Sequence, residues 1–193
     1  MKETEITVEI LDNVDDLIKM LKEKGFSLNS EFDMIDHYFS KENTETLKNL
    51  DYKDIINQSF LVRELTHTGS KTILFKNKEF DDKGNVIAEE KVKCNIDSIE
   101  NAVKIFNLAG LNNWLKLKQH LLVFTNDSFG FAIQIVDGLG TFIEYEENDN
   151  IKHLPEQEKI DSMLNDLRNL GINFKPDYSC KKPYMKFKKE NNF

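Results

Sequence analysis

The stretch FGFAIQIVDGLGTFIEYEE, residues 129–147, decides how the rest of the chain is read. Two runs rich in apolar residues, 129–136 and 141–147, flank Asp137-Gly138-Leu139-Gly140. Gly138 and Gly140 tolerate the positive φ that a tight turn requires, so the stretch predicts two antiparallel strands folded back on each other. Side chains in a strand alternate between faces with period two. Glu144 and Glu146 therefore share a face with Phe142, while Ile143 and Tyr145 take the other. Two neighbouring carboxylates repel unless water or a cation lies between them. Exposure to solvent is the ordinary fate of acidic residues, and a bound cation is the chemical alternative.

Outward from this hairpin, the same periodicity organises the chain. Over 3–10, Ile6, Val8 and Ile10 alternate with Glu5, Thr7 and Glu9, which predicts a half-buried strand with Glu3 on its polar face. Asp12 or Asn13 can cap a helix over 14–24, where Val14, Leu17, Ile18 and Leu21 form an apolar stripe and Gly25 ends it. Further strands are expected at 30–40, 58–66, 71–80 and 86–96, with a short helix or irregular connection at 42–54. Thr68-Gly69-Ser70 turns the second of these strands into the third. Asp97 or Ser98 caps a helix running to Leu108, and a long strand over 111–125 leads into the opening hairpin. A helix over 156–170 starts after Pro155 and stops at Gly171, and 178–187 forms a short closing element.

About eight strands joined by hairpins or single helices can close into a barrel, which removes exposed sheet edges. The expected fold is therefore α+β: one domain over 1–193, an eight-stranded, mostly antiparallel closed β-barrel with a polar interior and helices packed outside. The polar faces carry Glu3 and Glu5, then Arg63, Lys76, Glu90, the pair Lys116 and Lys118, and finally Glu144 and Glu146. Turned inward, the carboxylates can hold Mg²⁺ or Mn²⁺ and the basic groups can hold phosphate oxygens. Turned outward, the same charges are only solvated.

Composition narrows the partners. A net charge of −8 argues against a nucleic-acid surface, which needs a basic patch. Cys94 and Cys180 stand far apart and make no disulfide framework, so a reducing, cytoplasmic setting is expected. No stretch has the apolar length of a membrane span and the start has no secretory pattern, so no membrane partner is expected. His37, His67, His120 and His153 have no zinc-ligand spacing. Basic residues crowd the tail, Lys181, Lys182, Lys186, Lys188 and Lys189, either to close a tunnel mouth over an anion or as a disordered end.

Several of these stretches carry a family resemblance. Gly138-Leu139-Gly140-Thr141-Phe142-Ile143-Glu144-Tyr145-Glu146 resembles the G-L-G-x-F-x-E-x-E hairpin of the CYTH superfamily, the triphosphate tunnel metalloenzymes. Class IV adenylate cyclase, thiamine triphosphatase and inorganic triphosphatases belong to that superfamily. Glu3 and Glu5 resemble its E-x-E-x-K signature, with Thr7 in the lysine place, and Asp36-His37-Tyr38-Phe39 resembles its D-x-Y-F stretch. Phe60-Leu61-Val62-Arg63 is similar to an L-R-I-R strand that keeps only its second arginine, and Ile73-Leu74-Phe75-Lys76 to the strand that follows. Lys116-Leu117-Lys118 resembles a K-x-R pair, Pro183-Tyr184 a terminal S-Y element, and Glu90 lies near an acidic strand.

The resemblance implies that Glu3, Glu5, Glu90, Glu144 and Glu146 bind Mg²⁺ or Mn²⁺, and that Arg63, Lys76, Lys116 and Lys118 bind the phosphates of a small triphosphate compound. Water attack would make the protein a triphosphate hydrolase, and attack by a ribose hydroxyl an adenylate cyclase. Thr7, Leu61 and Gln134 depart from the pattern and each removes a charge from the tunnel. A lost phosphate contact costs about 1–3 kcal/mol if nothing replaces it. A phosphate- or nucleotide-binding module with weakened catalysis is the alternative that these departures imply.

Overall fold

The computed structural model describes residues 4–57 and 59–193. Glu3 and Gln58, the expected start of a strand, lie outside the described residues. In chain order the elements are β1 (Glu5–Glu9), α1 (Val14–Glu23), β2 (Ser27–Ser40), α2 (Thr44–Leu47), α3 (Tyr52–Asn57), β3 (Phe60–Leu65) and β4 (Ser70–Phe80). They continue with β5 (Val86–Asn95), α4 (Ile99–Leu108), β6 (Asn112–Thr125), β7 (Gly130–Val136), β8 (Gly140–Glu146), α5 (Glu156–Asn169) and α6 (Lys182–Asn191).

Local chemistry explains most of the boundaries. Gly138 takes φ 63° in the β7–β8 turn. The Asn13 side chain accepts from the backbone N–H groups of Asp15 and Asp16 and starts α1, and Ser98 accepts from that of Asn101 and starts α4. The eight strands form one antiparallel sheet in the order β1-β8-β7-β6-β2-β3-β4-β5. The sheet curls strongly on itself, as the α+β barrel reading requires.

Two parts of that reading change. First, the barrel is open: among the described residues β1 and β5 are the sheet's edges and share no ladder. Residues 178–180 run along that gap. The Thr7 N–H donates to the Tyr178 carbonyl at 2.9 Å, and the Cys180 N–H to the Thr7 carbonyl at 3.0 Å. From the other side, the Val86 N–H donates to Ser179 Oγ at 2.7 Å. A segment far along the chain thus satisfies an edge that strand closure would otherwise cover.

Second, the helices are not all outside, and the interior is not all polar. On the convex face α1 and α5 pack Leu17, Leu21, Ile160, Met163 and Leu167 against Ile6, Val8, Ile143 and Tyr145. There α4 covers Phe39 and Val62 through Ala102. The concave face holds its own apolar core: Tyr38, Leu61, Leu74, Leu115, Leu117, Val136 and Phe142 meet Leu47 of α2, Ile55 of α3 and Phe187 of α6. Hydrocarbon therefore fills part of the concave side, and Tyr38, Leu61 and Leu117 of this core also line the charged cavity beside it.

Candidate functional site

Residues directly opposite on paired strands share a face. The register pairs Glu5 with Glu146 and Thr7 with Glu144 across β1 and β8, and Asp36 with Arg63 across β2 and β3. Across β4 and β5 it pairs Lys78 with Glu89 and Lys76 with Lys91. All of these groups converge on the concave side. Glu5, Asp36, Arg63, Lys76, Lys78, Gln119, Glu144 and Lys182 are among the residues lining a cavity of about 90 Å³.

The charges in it are organised by carboxylates. Asp36 is fully buried and grips Arg63 through two bonds, Nε to Oδ1 and Nη2 to Oδ2, both 2.7 Å. A fork of this kind fixes the guanidinium's direction as well as its charge. Glu89, 1% exposed, gathers three lysines: Lys76 Nζ at 2.9 Å, Lys78 Nζ at 2.5 Å and Lys91 Nζ at 3.1 Å. Glu144 takes the ammonium of Lys182 at 3.0 Å, and the same ammonium donates to the Gln134 side-chain oxygen.

These pairs set the ionisation of the site. Burial opposes charge on Glu89, but Lys76, Lys78 and Lys91 outweigh it and hold the carboxyl well below the usual carboxylate range. Burial likewise opposes charge on Glu144, and Lys182, then Lys76 and Arg63, bring its pKa down to about 2. Burial disfavours the charged Lys76, yet Glu5 and Glu89 raise its pKa above the ordinary lysine value. Every one of these groups is charged at neutral pH.

The structure gathers Glu5, Arg63, Lys76 and Glu144 at the cavity, with Glu146 at its rim, its side chain 60% exposed. Lys116 and Lys118 lie on the outer face and are exposed. Their β2 partners are His37 and Ile35, whereas the cavity residue Asp36 pairs with Leu117. Glu90 is also exposed and faces away, and its neighbour Glu89 takes the interior position because of the register shift between Glu79 and Phe80. Lys182 belongs to the basic tail expected at a tunnel mouth or in a disordered end, and it lies in α6 on Glu144 at the cavity. Asp36 as a partner for Arg63, Lys78 as a cavity charge, and Glu89 and Lys91 beside it were not singled out from sequence. The alternation of Lys76 with Lys78 carried the signal for one of them.

Carboxylate oxygens of Glu5, Glu144 and Glu146 lie within 4.8 Å of one another. Three hard oxygen donors at that spacing fit Mg²⁺ or Mn²⁺. Two buried amide atoms also face no protein partner: Gln119 Oε1 and Gln134 Nε2. Gln119 lines the cavity. The Gln119 acceptor and the Gln134 donor lie on neighbouring strands, β6 and β7.

Comparison with solved structures places this architecture. A conserved hypothetical protein from Pyrococcus furiosus superposes with a TM-score of 0.71 at 17% identity, covering 96% of this chain and 99% of that one. A Vibrio parahaemolyticus protein named "putative adenylate cyclase" gives a TM-score of 0.67 at 16% identity, covering 96% of each chain. These structures share this chain's fold, the fold that the CYTH resemblance implies. No family model matches the chain, and no curated protein does. The Schizosaccharomyces pombe Mediator head module also contains a chain of similar fold, with a TM-score of 0.57 at 7% identity, covering 88% of this chain and 94% of that one. Among the described residues, no helix is long and apolar enough to cross a membrane.

Proposed function

We propose that the CYTH-like cavity binds the phosphate chain of a small triphosphate compound and hydrolyses it with the help of Mg²⁺ or Mn²⁺. The observation that supports this reading is the placement, in one cavity, of Arg63, Lys76 and Lys78 together with the carboxylates of Glu5 and Glu144 and, at the rim, Glu146. Glu5, Glu144 and Glu146 would hold the metal, which polarises the phosphate and stabilises charge developing on its oxygens. Arg63 is held in direction by Asp36, and Lys76 and Lys78 by Glu89, so their charges are fixed before a ligand arrives. Water attack on the terminal phosphorus breaks the P–O–P bridge and releases orthophosphate. A nucleoside triphosphate is one substrate class, in keeping with the neighbour named as an adenylate cyclase.

Phosphate release from tripolyphosphate, thiamine triphosphate and ATP, with Mg²⁺ and with Mn²⁺, tests the reading beside Glu5→Gln. Release that the substitution removes supports hydrolysis, and the order of substrates identifies the class. No release above the variant on any of the three overturns it.

A second reading, binding without turnover, has its own support. The cations of the cavity already sit on carboxylates, and Thr7 and Gln134 put neutral groups beside Glu144 and Lys182. Calorimetric binding of tripolyphosphate or ATP, with no phosphate released, would select it.

A further inference from the structure

Lys182 is the unusual cation of the cavity. It comes not from the sheet but from the first residue of α6, and it is only 8% exposed. Its ammonium lies on Glu144, one of the three carboxylates close enough to share a metal ion. The strand residue opposite Glu144 is Thr7, which brings no charge.

The lysine is delivered from both sides. Upstream, residues 178–180 are bound to Thr7 and Val86 across the open edge. Downstream, Lys186 Nζ donates to the Asp137 carbonyl in the β7–β8 turn at 2.8 Å. Phe187 is fully buried and packs edge-to-face on Trp114 at 5.1 Å between ring centroids. A divalent ion binding Glu144 would bring a second positive charge to an oxygen that Lys182 already contacts. Two cations a few ångströms apart in a shielded site repel strongly, so they exclude each other. The unmatched Gln134 amide is on the very side chain that accepts from Lys182, so this corner also holds a polar group with no protein partner.

We propose that Lys182 is a tethered counter-cation that Mg²⁺ or Mn²⁺ must displace from Glu144, so that metal binding and withdrawal of the α6 N-terminus are one event. This rests on the metal-binding part of the function proposed above, but not on hydrolysis. In the metal-free protein Lys182 keeps Glu144 neutralised and the cavity small. When metal binds, the ammonium leaves, the start of α6 swings out, and the cavity opens towards the gap between β1 and β5.

The test is Mn²⁺ binding to the full chain, followed by the electron spin resonance signal of free Mn²⁺, with no triphosphate present. Lys182→Met and Lys182→Gln should bind Mn²⁺ at least tenfold more tightly than the unsubstituted protein. Lys182→Arg, which keeps the cation, should stay weak. Adding Glu144→Gln to Lys182→Met should abolish the gain. Trp114 is the chain's single tryptophan, so its emission reports on the Phe187 contact. Mg²⁺ should shift that emission in the unsubstituted protein over the concentrations at which it binds. Equal Mn²⁺ affinity in the unsubstituted protein and Lys182→Met, including no measurable binding by either, overturns the proposal. So does Mg²⁺ binding without an emission shift. Failure of the triphosphate assay alone, with the Mn²⁺ exchange intact, would count against hydrolysis and leave this exchange standing.

Discussion

Two neighbouring groups of residues use one sheet face in opposite ways. In one, Leu74, Leu115 and Phe142 close on Trp114 and Phe187. In the other, Asp36, Arg63, Lys76, Lys78, Glu89 and Glu144 pair in and around the cavity, which Leu61 and Leu117 also line. The apolar group gains from every methylene removed from water. The charged group gains little net stability from its pairs, because desolvating each ion offsets most of the attraction. The charged pairs therefore contribute less than the hydrocarbon to holding the sheet together.

Substitutions can break this contrast. The largest effect is expected at Glu89, the shared acceptor of three lysines. Glu89→Gln leaves buried ammonium groups without their carboxylate, and urea unfolding should show a loss of about 3–5 kcal/mol. In the apolar group, Leu115→Ala should cost about 2–5 kcal/mol through cavity formation. Leu115 does not line the charged cavity, so the affinity for tripolyphosphate, measured calorimetrically, should be unchanged. Lys76→Met reverses that pattern. It should weaken tripolyphosphate binding by about 1.5–3 kcal/mol, roughly ten- to hundredfold, and so separates the two groups functionally.

Acid sharpens the same comparison. Glu89 and Glu144 titrate in the folded protein below their ordinary value of 4.5, Glu144 at about 2. Below pH 4.5 the unfolded chain binds protons that the folded chain does not, so stability falls as pH drops. The contribution of Glu144 is complete above about pH 4.5 and is lost as pH falls through about 2. Urea midpoints measured from pH 6 to pH 3 should decline in the unsubstituted protein and in parallel in Leu115→Ala. Glu89→Gln should flatten the decline. The smallest effect is expected at Lys118→Ala, within about 0.5 kcal/mol in stability and with no change in tripolyphosphate affinity, because the side chain is exposed on the outer face.

Most element boundaries were legible in the sequence because each half-buried strand alternates, Asn13 and Ser98 cap α1 and α4, and Pro155 precedes α5. Glu5, Arg63, Lys76 and Glu144 were legible as inward groups because their neighbours on the opposite face are apolar. Lys116 and Lys118 show where alternation runs out. Spacing by two says that they share a face, but not which face, and Leu115 and Leu117 are the ones drawn inward by Trp114 and Phe187. Glu89 and not Glu90 faces inward, opposite Lys78, because a register shift lies between this pair and the β4–β5 turn, at Glu79 and Phe80, which no local pattern announces. Lys182 reaches Glu144 only because residues 178–180 pair with β1, a contact between the two ends of the chain.

That stitched edge has a consequence for how the molecule is made. The ladder from β2 through β5 joins segments that leave the ribosome close together, apart from the β2–β6 pairing. By contrast, β1 must wait for β8, and its other neighbour, Tyr178, emerges later still. Pairing across such separations carries a large loop-closure cost and folds slowly. β1 thus docks late although it is synthesised well before its partners, and during that wait its Ile6-Thr7-Val8 edge is open to pairing with another chain.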